Sequence, residues 1–226
     1  MAKNYIDHLV RDGVNYPFLD RSKNLLNNPF FTVNQRGGTT WTESAGTNTY
    51  CVDRWKFVRG TVKKLSNGVN GVNFIAQSEN YNRFLQIVDY TPALGETLTA
   101  TMKCKVNSLT RGDNDGVRFA IGLGGNLTNV PNSWKQITET GEQELSFTFT
   151  ATSAIAGKNN LAISVYVKPD SSVNIDIYAM KLERGAVSTL QYDYPENNEI
   201  ELIKCATSTI EPADTYANKH LVFESN

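Results

Sequence analysis

The chain has 226 residues, 22 basic and 23 acidic side chains and a formal charge of -1, so it lacks the basic excess that a nucleic-acid-binding surface needs. Two histidines near the ends, His8 and His220, and three scattered cysteines, Cys51, Cys104 and Cys205, leave little material for His-based acid–base chemistry, a zinc site or a disulfide framework. Its 24 Asn, 22 Thr and 16 Gly beside 40% hydrophobic residues suit strands and turns around a real core, and no apolar run approaches the ~20 residues of a membrane helix.

Residues 1–23 crowd Asp7, Arg11, Asp12, Asp20, Arg21 and Lys23 into a stretch with few paired apolar positions, which reads as a small hairpin or an attachment arm. The start, residues 1–10, lacks the apolar run of a secretory signal, so a soluble chain made in the cytoplasm is expected, with its cysteines reduced. Leu25, Leu26, Phe30 and Val33 read as core contacts of a first strand. Arg36-Gly37-Gly38 reads as a turn, and residues 37–49 as a loop around Trp41, long enough to be functional or mobile. Asp53-Arg54 reads as an ion pair beside Trp55, itself a core residue.

Strands are expected at 57–65, 72–77 and 83–88, with Asn67-Gly68 and Asn70-Gly71 as turn signals between them. The clearest alternation is at 96–106, where Leu98, Ala100, Met102, Cys104 and Val106 share one parity and Thr97, Thr99, Thr101, Lys103 and Lys105 the other, the pattern of a half-buried strand. Arg111-Gly112-Asp113 spells an integrin-recognition tripeptide but reads as turn chemistry. Asp113, Asn114 and Asp115 could form a weak oxygen-rich site for a structural Ca2+, although the spacing is not that of a Ca2+ loop. No other cofactor is expected.

Further strands are expected at 117–123, 144–150, 161–168 and 173–182, making eight in all. Trp134 falls in a polar stretch after Pro131; like Trp41, it could anchor a subunit contact, bind a ligand or tuck into the core. Ile200, Leu202 and Ile203 could form a short helical stripe within 198–205, and 206–226 reads as an extension. Many short strands broken by Gly, Pro and Asn turns, with no helices between them, predict an all-β, jelly-roll β-sandwich of two antiparallel sheets over 24–205.

Strand parity also nominates a site. If Leu161, Ile163 and Val165 face the core, Tyr166 faces outward; if Ile175 and Ile177 do, Asp176 and Tyr178 face outward; Arg118 shares that parity on 117–123. Sugar-binding sites combine an aromatic face with side chains that bond hydroxyls. Tyr166, Tyr178, Asp176 and Arg118 would suit a shallow glycan groove if their strands share a sheet, with Trp134 and Trp41 as further candidates. The plainer alternative is that the tyrosines only cover a solvated face. A pair of carboxylates for glycoside hydrolysis stays open, but nothing picks one out.

Three segments carry a resemblance: Asn24-Leu25-Leu26-Asn27-Asn28-Pro29-Phe30-Phe31-Thr32-Val33-Asn34-Gln35-Arg36-Gly37, then Tyr50-Cys51-Val52-Asp53-Arg54-Trp55, then Lys181-Leu182-Glu183-Arg184-Gly185 followed by Glu201-Leu202-Ile203-Lys204-Cys205. In this order they resemble a module of bacteriophage tail-fibre, head-fibre and receptor-binding proteins. Ser188-Thr189-Leu190 departs from the Thr-Pro-Phe turn usual there, and Ala206-Thr207-Ser208 from the paired aromatics.

The resemblance implies a virion protein, without enzymatic activity and similar to carbohydrate-binding jelly rolls. Other virion proteins, a homotrimer or homodimer, and a bacterial surface glycan are its expected partners, with residues 1–23 as the docking arm. A purely structural head-fibre or capsid-decorating protein is the alternative, and a carbohydrate-active enzyme module a more distant one.

Overall fold

The computed structural model describes residues 8–11, 14–17, 23–66, 68–76, 79–112, 116–124, 126–127, 130–193 and 195. In chain order the strands are β1 His8–Arg11, β2 Val14–Pro17, β3 Thr40–Glu43, β4 Thr49–Tyr50, β5 Lys56–Val58, β6 Gly60–Lys64, β7 Val72–Ala76, β8 Asn82–Ile87, β9 Thr97–Thr110, β10 Val117–Leu123, β11 Asn126–Leu127, β12 Trp134–Gln136, β13 Gly141–Thr150, β14 Leu161–Val167 and β15 Ser172–Arg184. Among the described residues the one helical element is a 3-10 turn, Leu190–Tyr192. Residues 198–226, with the expected helical stripe and Cys205, lie outside the described residues, as do Asp113, Asn114 and Asp115.

The strands form two antiparallel sheets. Sheet I runs β11-β10-β14-β8-β5-β4, with β12 also paired to β10, and sheet II runs β13-β9-β15-β7-β6-β3. From β7 to β10 and again from β12 to β15 each successive strand changes sheet, apart from the short β11 and β12 that stay beside β10. This alternation makes the sandwich a jelly roll, as the turn spacing predicts. The inward parities meet in one core: Phe57, Phe84, Phe119, Ile163 and Val165 from sheet I pack with Val62, Phe74, Met102, Ile175 and Leu182 from sheet II. Strands β1 and β2 pair with each other, antiparallel, in a separate two-stranded sheet.

Plain alternation is broken at three places, one of them the register shift between Asn174 and Ile175 that leaves Asn107 of β9 as an extra residue. The expected strand at 57–65 is divided, because Arg59 and Gly60 take φ of 58° and 100°, the left-handed region that favours glycine. The corner carries the chain from sheet I to sheet II, and a Cβ on Gly60 would lie 2.4 Å from the Ile75 carbonyl oxygen. On β15 the register slips between Ile177 and Ala179, leaving Tyr178 as the extra residue of a bulge. The slip moves the core parity from Ile175 and Ile177 to Met180 and Leu182, so Lys181 and Glu183 point to the outer side of sheet II. There residues 185–193 cover them, and both are fully buried.

The segments that carry the family resemblance work as a structural lock. Residues 24–33 are not the expected strand, because Asn28 and Phe31 have φ of 51° and 57°. Side chains hold the segment instead. Asn24 Nδ2 donates to the Met180 carbonyl at 3.0 Å, and the Leu25 amide donates to the Leu182 carbonyl at 2.8 Å. The fully buried Asn28 accepts from the Val33 amide at 3.0 Å and donates to the carbonyls of Val33 and Asp53. Trp55 Nε1 donates to the Asn28 carbonyl at 3.0 Å. Asp53 accepts from the Gln35 amide at 2.8 Å and pairs with Arg36 at 3.1 Å. Arg36 thus does more than turn the chain: it is the guanidinium that meets Asp53.

Candidate functional site

Among the described residues the exposed aromatic side chains, Trp134 and Tyr81, gather at the outer face of sheet I. The register aligns Gln136, Arg118, Tyr166, Arg83 and Val58 in one row across β12, β10, β14, β8 and β5, and the outward parity of each strand puts these side chains on one side. Trp134 sits diagonally beside Arg118, whose guanidinium carbon lies 4.1 Å from the indole centroid. Arg83 stands 5.9 Å from the Tyr166 ring, and Tyr81, just before β8, lies 5.7 Å from Tyr166. Trp134 and Tyr81 are 38% and 47% exposed, so each end of the row presents a ring to solvent. Burial, with the nearby Tyr81 adding to it, pushes the Tyr166 hydroxyl above its ordinary value; it stays a neutral donor and acceptor.

Further along the same face Val58, Leu85, Ile87 and Ala162 form a small, buried apolar cluster. That part of the face is closed, while Trp134 and Tyr81 are exposed at the other end. Beyond Tyr81 that end leads into a polar cleft of about 200 Å3, lined by Glu43, Ser44, Arg59, Asn80 and Asn82 among others. It lies at the corner where β5 passes into β6, and Arg59 Nη1 donates to the Tyr81 carbonyl at 3.5 Å.

Of the two acids that line the cleft, Glu43 and Glu79, the first is committed to backbone. Glu43 accepts from the amides of Arg59 at 2.7 Å, Gly46 at 2.8 Å and Thr47 at 3.3 Å. Burial alone would raise its carboxyl, but the backbone donors of Arg59, Thr47, Gly46 and Ala45 outweigh it and hold the group below the ordinary 4.5. Glu96 is lowered in the same way, burial being outweighed by Tyr90, the Ala93 amide and Arg184.

A carboxyl depressed on folding contributes stability above its unfolded value, and that contribution is lost as pH falls through the folded one. The melting temperature should therefore drop on acidification from about pH 5 downward. Glu43→Gln should flatten part of that drop; thermal scans between pH 7 and pH 3 showing identical acid slopes in the two proteins would contradict it.

The structure divides the nominated residues. Tyr166, Arg118 and Trp134 come together on sheet I, although Trp134 stands on the edge strand β12 rather than in a loop. Tyr178 and Asp176 lie on β15 of sheet II, so the four-residue groove does not form. The premise of a shared sheet fails because β14 and β15, adjacent in sequence, belong to opposite layers. Asp176 accepts from Asn73 Nδ2 at 2.7 Å, and Tyr178 donates to Glu142 at 3.3 Å. Trp41, on the edge strand β3, is half-buried against the core with its ring over Gly38, whose added Cβ would come within 2.8 Å of the indole nitrogen.

Tyr81 and Arg83 are site residues that the sequence reading passed over. The outward parity of Arg83 was available from Phe84 on the expected strand, but its neighbours were not. Among the described residues no cluster of His, Cys, Asp or Glu could hold a metal ion.

No protein-family model matches the chain, and no curated protein does either. Among solved structures, the chain is similar to the Stig cyclase Fisc of Fischerella sp. TAU, with 16% identity, 74% of this chain and 100% of that one covered, and a TM-score of 0.46. It is also similar to the arabinose-bound α-L-arabinofuranosidase MgGH51, with 17% identity over 71% of this chain and 26% of that one and a TM-score of 0.46. A third neighbour is TmCBM61 in complex with β-1,4-galactotriose, with 16% identity over 73% and 100% and a TM-score of 0.36.

Proposed function

We propose that the chain is a non-catalytic virion protein of a bacteriophage, of the fibre or decoration type, whose jelly roll contacts a bacterial surface glycan through the outer face of sheet I. The observation that carries the contact is the row itself. Trp134, Tyr166 and Tyr81 offer rings for the apolar faces of sugars, and Arg118, Arg83 and Gln136 offer donors between them. The virion assignment draws on the ordered segments around Asn28, Asp53 and Glu183, which build one structural lock. Residues 1–23, which include the paired β1 and β2, are the docking arm in this reading, and the sandwich assembles as a homo-oligomer.

A non-catalytic role fits the chemistry of the best-shielded carboxylates. Glu43, Asp53, Glu96 and Glu183 each accept bonds that position backbone or neighbouring side chains, which leaves none of the four poised for proton transfer.

The purified chain should bind cells of the host bacterium. Tyr166→Ala should weaken binding about tenfold, equivalent to ~1.4 kcal/mol, with the melting temperature little changed. Equal binding by the variant would remove the sheet I face from the reading. No binding by a folded, assembled wild-type protein would favour the purely structural decoration role.

A further inference from the structure

The near-zero net charge conceals a segregation between the two sheets. The seven strands of sheet I contain no Asp or Glu, and their outward side chains include Lys56, Arg83 and Arg118, whereas Lys135, opposite the core residue Phe119, lies on the other side. The six strands of sheet II hold both signs, Glu43, Asp176 and Glu183 standing among their acids. A one-signed sheet face concentrates ligands of the opposite charge.

Two nitrogens of the row on that face also lack acceptors, while Arg83 Nη1 donates to Asn126 Oδ1 at 3.0 Å. Arg83 Nε and Gln136 Nε2 are buried nitrogens with no hydrogen-bond partner, and they stand at opposite ends of the Gln136–Arg118–Tyr166–Arg83 register. Three interstrand steps separate them, roughly 14 Å. A buried donor left without an acceptor is costly, and a group that only accepts would satisfy both ends. Each outer ring has a guanidinium beside it, Arg118 with Trp134 and Arg83 with Tyr166.

We infer that the ligand of this face is a uronic-acid polysaccharide. This deepens the glycan-binding reading and rests on it. A hexuronic acid brings both features the face repeats: a ring that stacks on Tyr166 or Trp134, and a planar carboxylate that matches the fork of a guanidinium. A glycerol-phosphate polymer carries the charge without the ring, and a neutral glycan the ring without the charge.

The test is affinity electrophoresis and calorimetry of the full chain with polygalacturonate, alginate and hyaluronan, against methyl-esterified polygalacturonate and a glycerol-phosphate polymer. At least one uronate polymer should bind, its methyl ester should bind at least tenfold more weakly, and affinity should fall as salt rises. Arg83→Gln should lose about tenfold and Arg83→Lys should recover only part of it, because an ammonium cannot form the fork; Arg83 is half-exposed, and an unchanged melting temperature verifies folding.

Equal affinity for the methyl ester, or preference for the glycerol-phosphate polymer, would overturn the inference. Host-cell binding that persists with no uronate polymer bound would overturn the inference and leave the glycan reading standing. Loss of both would overturn the two together.

Discussion

Trp55→Ala should cost about 3–5 kcal/mol of stability, the range for emptying a buried aromatic site. Trp55 is fully buried and stacks on Phe84 with centroids 5.0 Å apart and planes within 1°, while Phe31 closes a tilted contact at 5.0 Å. Truncation leaves a cavity between these rings and removes the indole donor from the Asn28 carbonyl, which also accepts from the Phe31 amide at 3.1 Å. Asn28 also organises Val33 and Asp53, so the loss spreads to the opening segment. A domain with a total stability of about 5–15 kcal/mol would then be partly unfolded near 37 °C. Trp55→Phe should cost less, because it keeps much of the packing and loses the hydrogen bond. Urea denaturation followed by circular dichroism checks both; a stable Trp55→Ala protein that had lost only glycan binding would instead make Trp55 a sugar platform.

The second large effect is expected at the bulge-shifted end of β15. Lys181 Nζ lies 2.7 Å from Asp193, 2.8 Å from Thr189 Oγ1 and 3.6 Å from Glu183, whose carboxylate also accepts from the Thr189 amide and hydroxyl at 2.7 Å and 2.6 Å. Lys181→Ala removes the cation from a fully buried carboxylate, a change that costs about 3–5 kcal/mol when one member of a buried pair is deleted. Replacing both members by apolar residues of similar volume, Lys181→Met with Glu183→Leu, should cost clearly less than the sum of the single changes, since the fully buried carboxylate is removed together with its cation and only the partly exposed Asp193 loses its partner. A double-mutant cycle measured by denaturation reads the coupling directly. Additive losses would mean that the charges do not interact and that Thr189 alone holds residues 185–193 against sheet II.

The strands with sustained alternation were legible because period-two burial is a local property. Leu98 to Val106, Leu161 to Val167 and Val72 to Ala76 each show their inward side without reference to any partner. The strands β3, β4, β11 and β12 were not legible; with two to four residues each they are too short to establish a period, and they exist because a longer neighbour offers an edge. The corner at Arg59-Gly60 and the bulge at Tyr178 were hidden for a related reason. Each is a backbone event of one or two residues inside an apolar pattern that reads continuously, and each is stabilised by contacts remote in sequence, such as the approach of Gly60 to Ile75.

The site followed the same division. Side-chain direction on one strand placed Tyr166 and Arg118 outward correctly, whereas membership of a common sheet depends on pairing between distant segments, and that pairing put Tyr178 and Asp176 on the other layer while bringing in Tyr81 and Arg83. The amino-acid sequence by itself determined the all-β jelly-roll class, the buried Trp55 and the overall charge, because composition and alternation act residue by residue. Only the tertiary structure decided that the strands of sheet I carry basic side chains without acids among them while those of sheet II carry both signs, because the charge of a surface depends on which strands become neighbours.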